Sequence, residues 1–260
     1  MIDLILFDLD GTLIDHRSAV LAAIGQVIQG ATSARLPADD LVAAWWDLER
    51  AHMRRYLAGE CSFAEQRRCR LRAFLPLLGE PVPGDAGLAG LDAWFSGRYL
   101  PLFEAAWSCY PDVLPCLQAL AGRSRPLRRA VLTNGDPGQQ RAKLARSGLL
   151  GHFEAVLTPA DLGTAKPDPA AFTAACLQLG VSPRYVLSVG DWLEGDVIAA
   201  TRVGLTGIWL DRGVEPFTGK PPDQARAVAA NLALARIEQL TDLATALRER
   251  PAGRELRQDN

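Results

Sequence analysis

The chain has 260 residues, 48% of them hydrophobic and 22% charged, with a formal net charge of -2. That length suits one domain carrying an insert, or one large and one small domain, and that composition can bury a proper core. The near-neutral balance gives no global basic field for nucleic acid or an anionic membrane, and no apolar stretch approaches the ~18 residues that span a bilayer.

The start, Met1-Ile2-Asp3-Leu4, has no positive region, and Asp3 and Asp8 break the first apolar run, which predicts no signal peptide. Cys61, Cys69, Cys109, Cys116 and Cys176 form an odd set without a C-x-x-C pair, so neither a disulfide framework nor a structural zinc site is expected. The expectation is a cytoplasmic protein with reduced thiols, monomeric or homodimeric. Only Lys143, Lys166 and Lys220 are lysines among 28 basic residues, so a lysine where a mechanism needs one carries weight.

Leu4-Ile5-Leu6-Phe7, closed by Asp8-Leu9-Asp10-Gly11-Thr12, reads as a strand buried on both faces. From His16 to Trp107 the texture is helical: Val20, Ala23, Ile24, Val27 and Ile28 recur at helical spacing, as do Leu41, Ala44, Trp45 and Leu48. Arg67–Leu78 continues that texture, and Pro81, Pro83 and Gly84 break it before Leu91–Tyr99. Beyond Pro111 strands and helices alternate. Strands are predicted at Ala130–Leu132, Ala155–Leu157, Tyr185–Val189 and Gly207–Leu210, and helices at Val113–Leu120, Pro137–Ser147, Pro169–Leu179, Glu194–Val203 and Leu240–Arg248. This is the pattern of an α/β fold, a doubly wound parallel sheet with an inserted all-helical cap. Its expected divisions are a core of residues 1–15 and 108–250, a cap of 16–107 and a flexible tail of 251–260.

Ligands of such sheets sit beyond the carboxyl ends of the strands. Four successive ends here present Asp8 and Asp10, then Thr133 and Asn134, then Thr164-Ala165-Lys166-Pro167, then Asp191 and Asp196. Carboxylates so dense repel one another unless a cation neutralises them, and oxygen ligands without a convergent His or Cys suit a hard ion such as Mg²⁺.

Asp8-Leu9-Asp10-Gly11-Thr12, Leu132-Thr133-Asn134, Lys166-Pro167 and Gly190-Asp191-Trp192-Leu193-Glu194-Gly195-Asp196 resemble, in order, the four motifs of the haloacid dehalogenase-like hydrolase superfamily. The helical insert stands where that family carries its type-1 cap. The resemblance implies a Mg²⁺-dependent phosphomonoester hydrolase acting on a small phosphorylated metabolite. Asp8 would be the nucleophile that forms an aspartyl-phosphate, and Asp10 would protonate the leaving alkoxide and later activate water. Asp8, the carbonyl of Asp10 and the carboxylate of Asp191 would hold the metal. Thr133 would hydrogen-bond a phosphoryl oxygen and Lys166 would add positive charge beside it. Asp196 would anchor Lys166 or a metal-bound water. Gly11, Asn134 and Arg17 are assigned to substrate binding, the last as a cap contribution together with the arginines of Arg50–Arg72.

Dehalogenases of the family lack the second aspartate of the first motif, so Asp10 points away from them. Phosphonate cleavage needs a cap lysine, and the insert has none. A phosphomutase keeps both aspartates and stands as an alternative, as does a non-catalytic phospho-acceptor or binding protein. Trp192 reads as a wall of the site, and Trp45 and Trp46 as cap core. His16 reads as an exposed hinge residue, and His52 and His152 as structural or solvated.

Overall fold

A strand can be buried on both faces because successive side chains point to opposite sides. The computed structural model describes residues 1–83, 87–215 and 221–247, and in it Leu4–Phe7 is such a strand, β1. Ile5 and Phe7 join one apolar cluster and Leu4 and Leu6 another, so the strand serves two cores. Parallel strands β2 (Arg128–Leu132), β3 (Ala155–Leu157), β4 (Val186–Gly190), β5 (Thr206–Leu210) and β6 (Ala235–Ile237) complete a sheet of order β3-β2-β1-β4-β5-β6. Leu4 stands opposite Arg128 on one side and Val186 on the other. The strand order turns back between β1 and β4, so the crevice at their carboxyl ends is the natural ligand position.

Between β1 and β2 the chain forms α1 (His16–Gln29), α2 (Ala38–Leu57), α3 (Phe63–Phe74), α4 (Gly87–Trp94), a π-helical turn over Phe95–Tyr99 and α5 (Leu100–Ala105). Asp15 starts α1 by accepting the Ser18 N–H, and Ser62 starts α3 through a reciprocal capping box with Glu65. The periodic apolar residues of α1 turn inward with Leu41, Trp45, Leu71 and Phe74, building a core separate from both sheet clusters. The chain leaves the sheet and returns to it at one place: Asp15 N–H donates to Ser108 O and Tyr110 N–H to Leu13 O.

Helices α6 (Val113–Ala121) and α7 (Pro137–Arg146) pack on the Ile5 and Phe7 side of the sheet, with α8 (Pro159–Leu162) following β3. On the Leu4 and Leu6 side lie α9 (Pro169–Gln178) and α10 (Ala199–Thr201). Helix α11 (Asp223–Asn231) and strand β6 are absent from the predicted elements. In β6 Arg236 is exposed and only Ile237 is buried, so no apolar run marks it. The helix expected over Glu194–Val203 is instead a π-helical turn, Leu193–Ile198, running into α10. The final expected helix is a 3₁₀ turn, Leu240–Asp242, and a short α12 (Leu243–Ala246). Its end at Arg248 and the tail of 251–260 lie outside the described residues. The five cysteines are free, and no helix among the described residues is long and apolar enough to cross a membrane.

Candidate active site

Asp8 continues the sheet by one residue, its N–H donating to Val189 O at 2.9 Å, which seats it between the ends of β1 and β4. At Gly11 the backbone turns through φ +92°, and a Cβ there would collide with the Asp191 carboxylate. Thr12 Oγ accepts the Asp191 N–H at 3.0 Å and donates to Asp191 Oδ1 at 3.3 Å, while Trp209 Nε1 donates to Asp191 O at 2.9 Å. The first loop and the end of β4 are thereby locked face to face. A Cβ on Gly190 would overlap Asp196, which the π-helical turn folds back beneath that strand. Asp196 Oδ2 accepts the Trp192 N–H at 3.0 Å, and Ser188 Oγ donates to Asp196 O at 2.7 Å. Lys166 Nζ then bridges Asp8 Oδ1 at 2.7 Å and Asp196 Oδ1 at 2.6 Å.

Carboxylate oxygens of Asp8, Asp191 and Asp196 lie within 4.8 Å of one another. Burial pushes Asp8 up to about 6; Lys166 opposes that rise and Asp196 adds to it. Burial, followed by repulsion from Asp8 and Asp196, raises Asp191 well above the usual carboxylate range. Burial works against the charge on Lys166, but Asp196 and Asp8 outweigh it and hold the ammonium above its ordinary value. Asp8 Oδ2 is buried without a hydrogen-bond partner. An orphaned anionic oxygen beside a second repelled carboxylate, with no nitrogen or sulfur ligand among them, is a donor set that fits a hard divalent cation.

Asp10 belongs to a different network. Lys143 Nζ reaches both its oxygens, at 2.6 and 2.8 Å, and Gln140 Nε2 donates to Oδ2 at 2.7 Å. His16 Nδ1 stands 3.6 Å from Oδ1. Burial would raise Asp10, but Lys143 and then His16 prevail and hold its carboxyl well below the usual range. Gln140 Nε2 also donates to Thr133 Oγ at 2.7 Å, which leaves the Thr133 hydroxyl proton free to donate elsewhere. Asn134 clamps the lysine loop: its Nδ2 donates to Lys166 O at 2.6 Å and its Oδ1 accepts the Lys166 N–H at 2.9 Å.

These groups share a cavity of about 170 Å³ with the helical insert, which contributes Trp46, Gln66, Arg67, Phe95 and Tyr99. Comparison with known proteins agrees with the geometry. A sequence model described as haloacid dehalogenase-like hydrolase matches residues 2–204. The chain belongs to that family.

Among proteins similar to this hydrolase, a ribulose-1,5-bisphosphate 5-phosphatase of Halopiger xanaduensis is 29% identical over 92% of this chain and 98% of its own. A phosphoserine phosphatase of Thermus thermophilus is 44% identical, but over 36% of this chain and 38% of that protein, so the match spans under half of it. The solved L-2-haloacid dehalogenase of Xanthobacter autotrophicus is similar in fold, with TM-score 0.69 and 26% identity over 95% of this chain and 99% of that one.

Asp8, Asp10, Thr133, Asn134, Lys166, Asp191 and Asp196 all line the cavity of the hydrolase. The three residues assigned to substrate binding make the following contacts. Gly11 donates its N–H to Ile14 O at 2.9 Å, so that amide is spent within the loop and the residue's contribution is the room it leaves for Asp191. The side chain of Asn134 serves the lysine loop, and the residue lines the cavity. Arg17 lies with its guanidinium 5.3 Å from the Trp46 ring centroid and is not among the residues lining the cavity. His16 lines the cavity beside Asp10 instead of standing free at the hinge, and Trp46 faces the cavity while Trp45 is cap core. Sequence reasoning missed the roles of Lys143, Gln140 and Thr12. The scarcity of lysine was the available signal for Lys143.

Proposed function

We propose that this hydrolase is a Mg²⁺-dependent phosphatase of small phosphorylated metabolites that works through an aspartyl-phosphate on Asp8. One observation carries the reading: Asp8 offers an unpartnered oxygen at the strand end while Lys166 holds the other. The full-length likeness to a sugar-bisphosphate phosphatase supports it. The Asp8 carboxylate attacks phosphorus, the Thr133 hydroxyl donates to a phosphoryl oxygen, and Lys166 offsets negative charge on the transferring group. Asp10, positioned by Gln140 and held as a carboxylate by Lys143, accepts a proton from the water that releases phosphate, and it serves the departing alkoxide as an acid only after taking up a proton as the anionic substrate binds. Asp8, Asp191 and the Asp10 carbonyl are the groups to hold Mg²⁺, with Asp196 engaged by Lys166 and the Trp192 amide. When bound, the cation offsets charge on the phosphoryl group and lessens repulsion between two anionic reactants. Residues 16–107 serve as a lid whose closure keeps bulk water from the site.

The structural likeness to a dehalogenase does not extend to chemistry, because a halide leaves without a proton and needs no group such as Asp10. The test is Asp8→Asn with p-nitrophenyl phosphate and Mg²⁺. Turnover is expected to fall by about three orders of magnitude or more with the unfolding curve preserved. Near-wild-type turnover in a pure preparation would overturn the mechanism.

A further inference from the structure

The roof of the cavity contains three arginines, and they differ in what neutralises them. Arg70 pairs with Glu49 at 2.8 Å and lies over the Trp45 ring, and Arg50 pairs with Asp47. Arg67 makes no direct ion pair among the described residues, and the carboxylates that act on it, Asp136 and Asp92, do so from a distance. Its guanidinium lies 4.2 Å from the ring centroid of Phe95 and 5.2 Å from that of Phe63. Such contacts use the face of the guanidinium and leave its in-plane N–H donors for another partner. Burial, and then Arg70, hold Arg67 below the ordinary arginine range, against the more distant pull of Asp136 and Asp92.

A second observation points the same way. The neighbouring Gln66 is 2% exposed and lines the cavity, yet its Oε1 has no hydrogen-bond partner. Trp46 Nε1, on the same wall, is also buried and unpartnered. Buried polar groups left unpaired are costly, and a cluster of them beside a cation that no carboxylate contacts directly forms a surface suited to a polar, anionic ligand. The guanidinium fork matches the two oxygens of a carboxylate or phosphate. The floor of the cavity already holds the phosphoryl site, so the roof faces the leaving alcohol.

We propose that Arg67 receives a second anionic group on the leaving alcohol, so that the substrates are phosphomonoesters of small acids or bisphosphates and not of neutral sugars. This rests on the phosphatase reading above and narrows its substrate class. The experiment compares kcat/KM within two matched pairs, 3-phosphoglycerate against glycerol 3-phosphate and ribulose 1,5-bisphosphate against ribulose 5-phosphate. The first pair reports a carboxylate and the second a phosphate at Arg67. The wild-type protein is expected to favour the more anionic member of at least one pair about tenfold or more, mainly through KM. Arg67→Met should bring that ratio close to one, with Arg67→Lys intermediate because it keeps the charge and loses the fork.

A residue that only supports the fold would lower both members together and leave the ratio intact, and that result overturns the proposal. So does a wild-type ratio near one in both pairs, which needs no variant to fold. p-Nitrophenyl phosphate with Mg²⁺ separates the two levels. Its turnover alongside flat ratios sinks only the assignment of Arg67, whereas no turnover of any ester sinks the phosphatase reading and this inference with it.

Discussion

Lys166 and Lys143 each hold one aspartate of the first loop, and they leave different things free. Lys166 takes one oxygen of Asp8 and leaves the other unpartnered, as the proposed nucleophilic role requires. Lys143 takes both oxygens of Asp10 and is itself 2% exposed, under the rings of Phe103 and Trp107. Asp10 is thus aimed by the core and by the helical insert at once. Replacing Lys143 by Met removes the aim and leaves a half-buried carboxylate with only Gln140 and His16 beside it. The expected loss is about tenfold or more in kcat on alkyl phosphates, whose leaving groups need a proton, and markedly less on p-nitrophenyl phosphate. Stability should fall by about 1–3 kcal/mol in urea unfolding, below the value for a fully buried pair because Asp10 keeps access to solvent. Equal kinetic losses on both esters would reduce Lys143 to a purely structural ion pair.

At the scale of elements, both π-helical turns deliver site residues. Phe95 and Tyr99 come from the turn before α5 and Asp196 from the turn before α10, in keeping with the placement of such turns at functional positions. The roof is held in place by the insert's own core, where Trp45 packs edge-on against Phe74 with centroids 5.0 Å apart. Phe74 is fully buried, and Phe74→Ala is expected to cost about 3–5 kcal/mol. Denaturant unfolding followed by helical circular dichroism reads that cost. A change under about 1 kcal/mol would mean that the cluster does not hold the roof.

For the molecule as a whole, the three gathered carboxylates are a stored repulsion. Burial raises both Asp8 and Asp191, so the fold without a cation carries groups that resist ionisation. A divalent cation binding the folded chain and not the unfolded one should stabilise it by about 2.7 kcal/mol at a hundred times its Kd. The measurement is Tm against Mg²⁺ concentration, with Asp191→Asn expected to flatten the rise. A Tm independent of Mg²⁺ in the wild-type protein would remove the cation from the site.

Much of this architecture is local enough to be read along the chain. A both-faces-buried strand needs a short apolar run closed by turn residues, and five of the six strands show one. Helical spacing marks α1 and the Leu41–Trp45 stretch of α2 because one face of each is buried. The motif aspartates, Thr133 and Lys166 were legible because each stands at a strand end or in its loop, and a parallel sheet must bring those ends to one rim. Strand β6 left no such mark, since an edge strand of three residues with one buried side chain makes no run. The Lys143–Asp10 pair spans 133 positions and the Lys166–Asp8 pair 158, and only the second lay on motifs that the strand ends bring together. The fold alone decides that Arg17 lies against Trp46 outside the cavity lining and that Arg67 reaches the cavity with no direct ion pair among the described residues. Partnership through space depends on how helices pack, and the side chains that settle the packing belong to other segments of the chain.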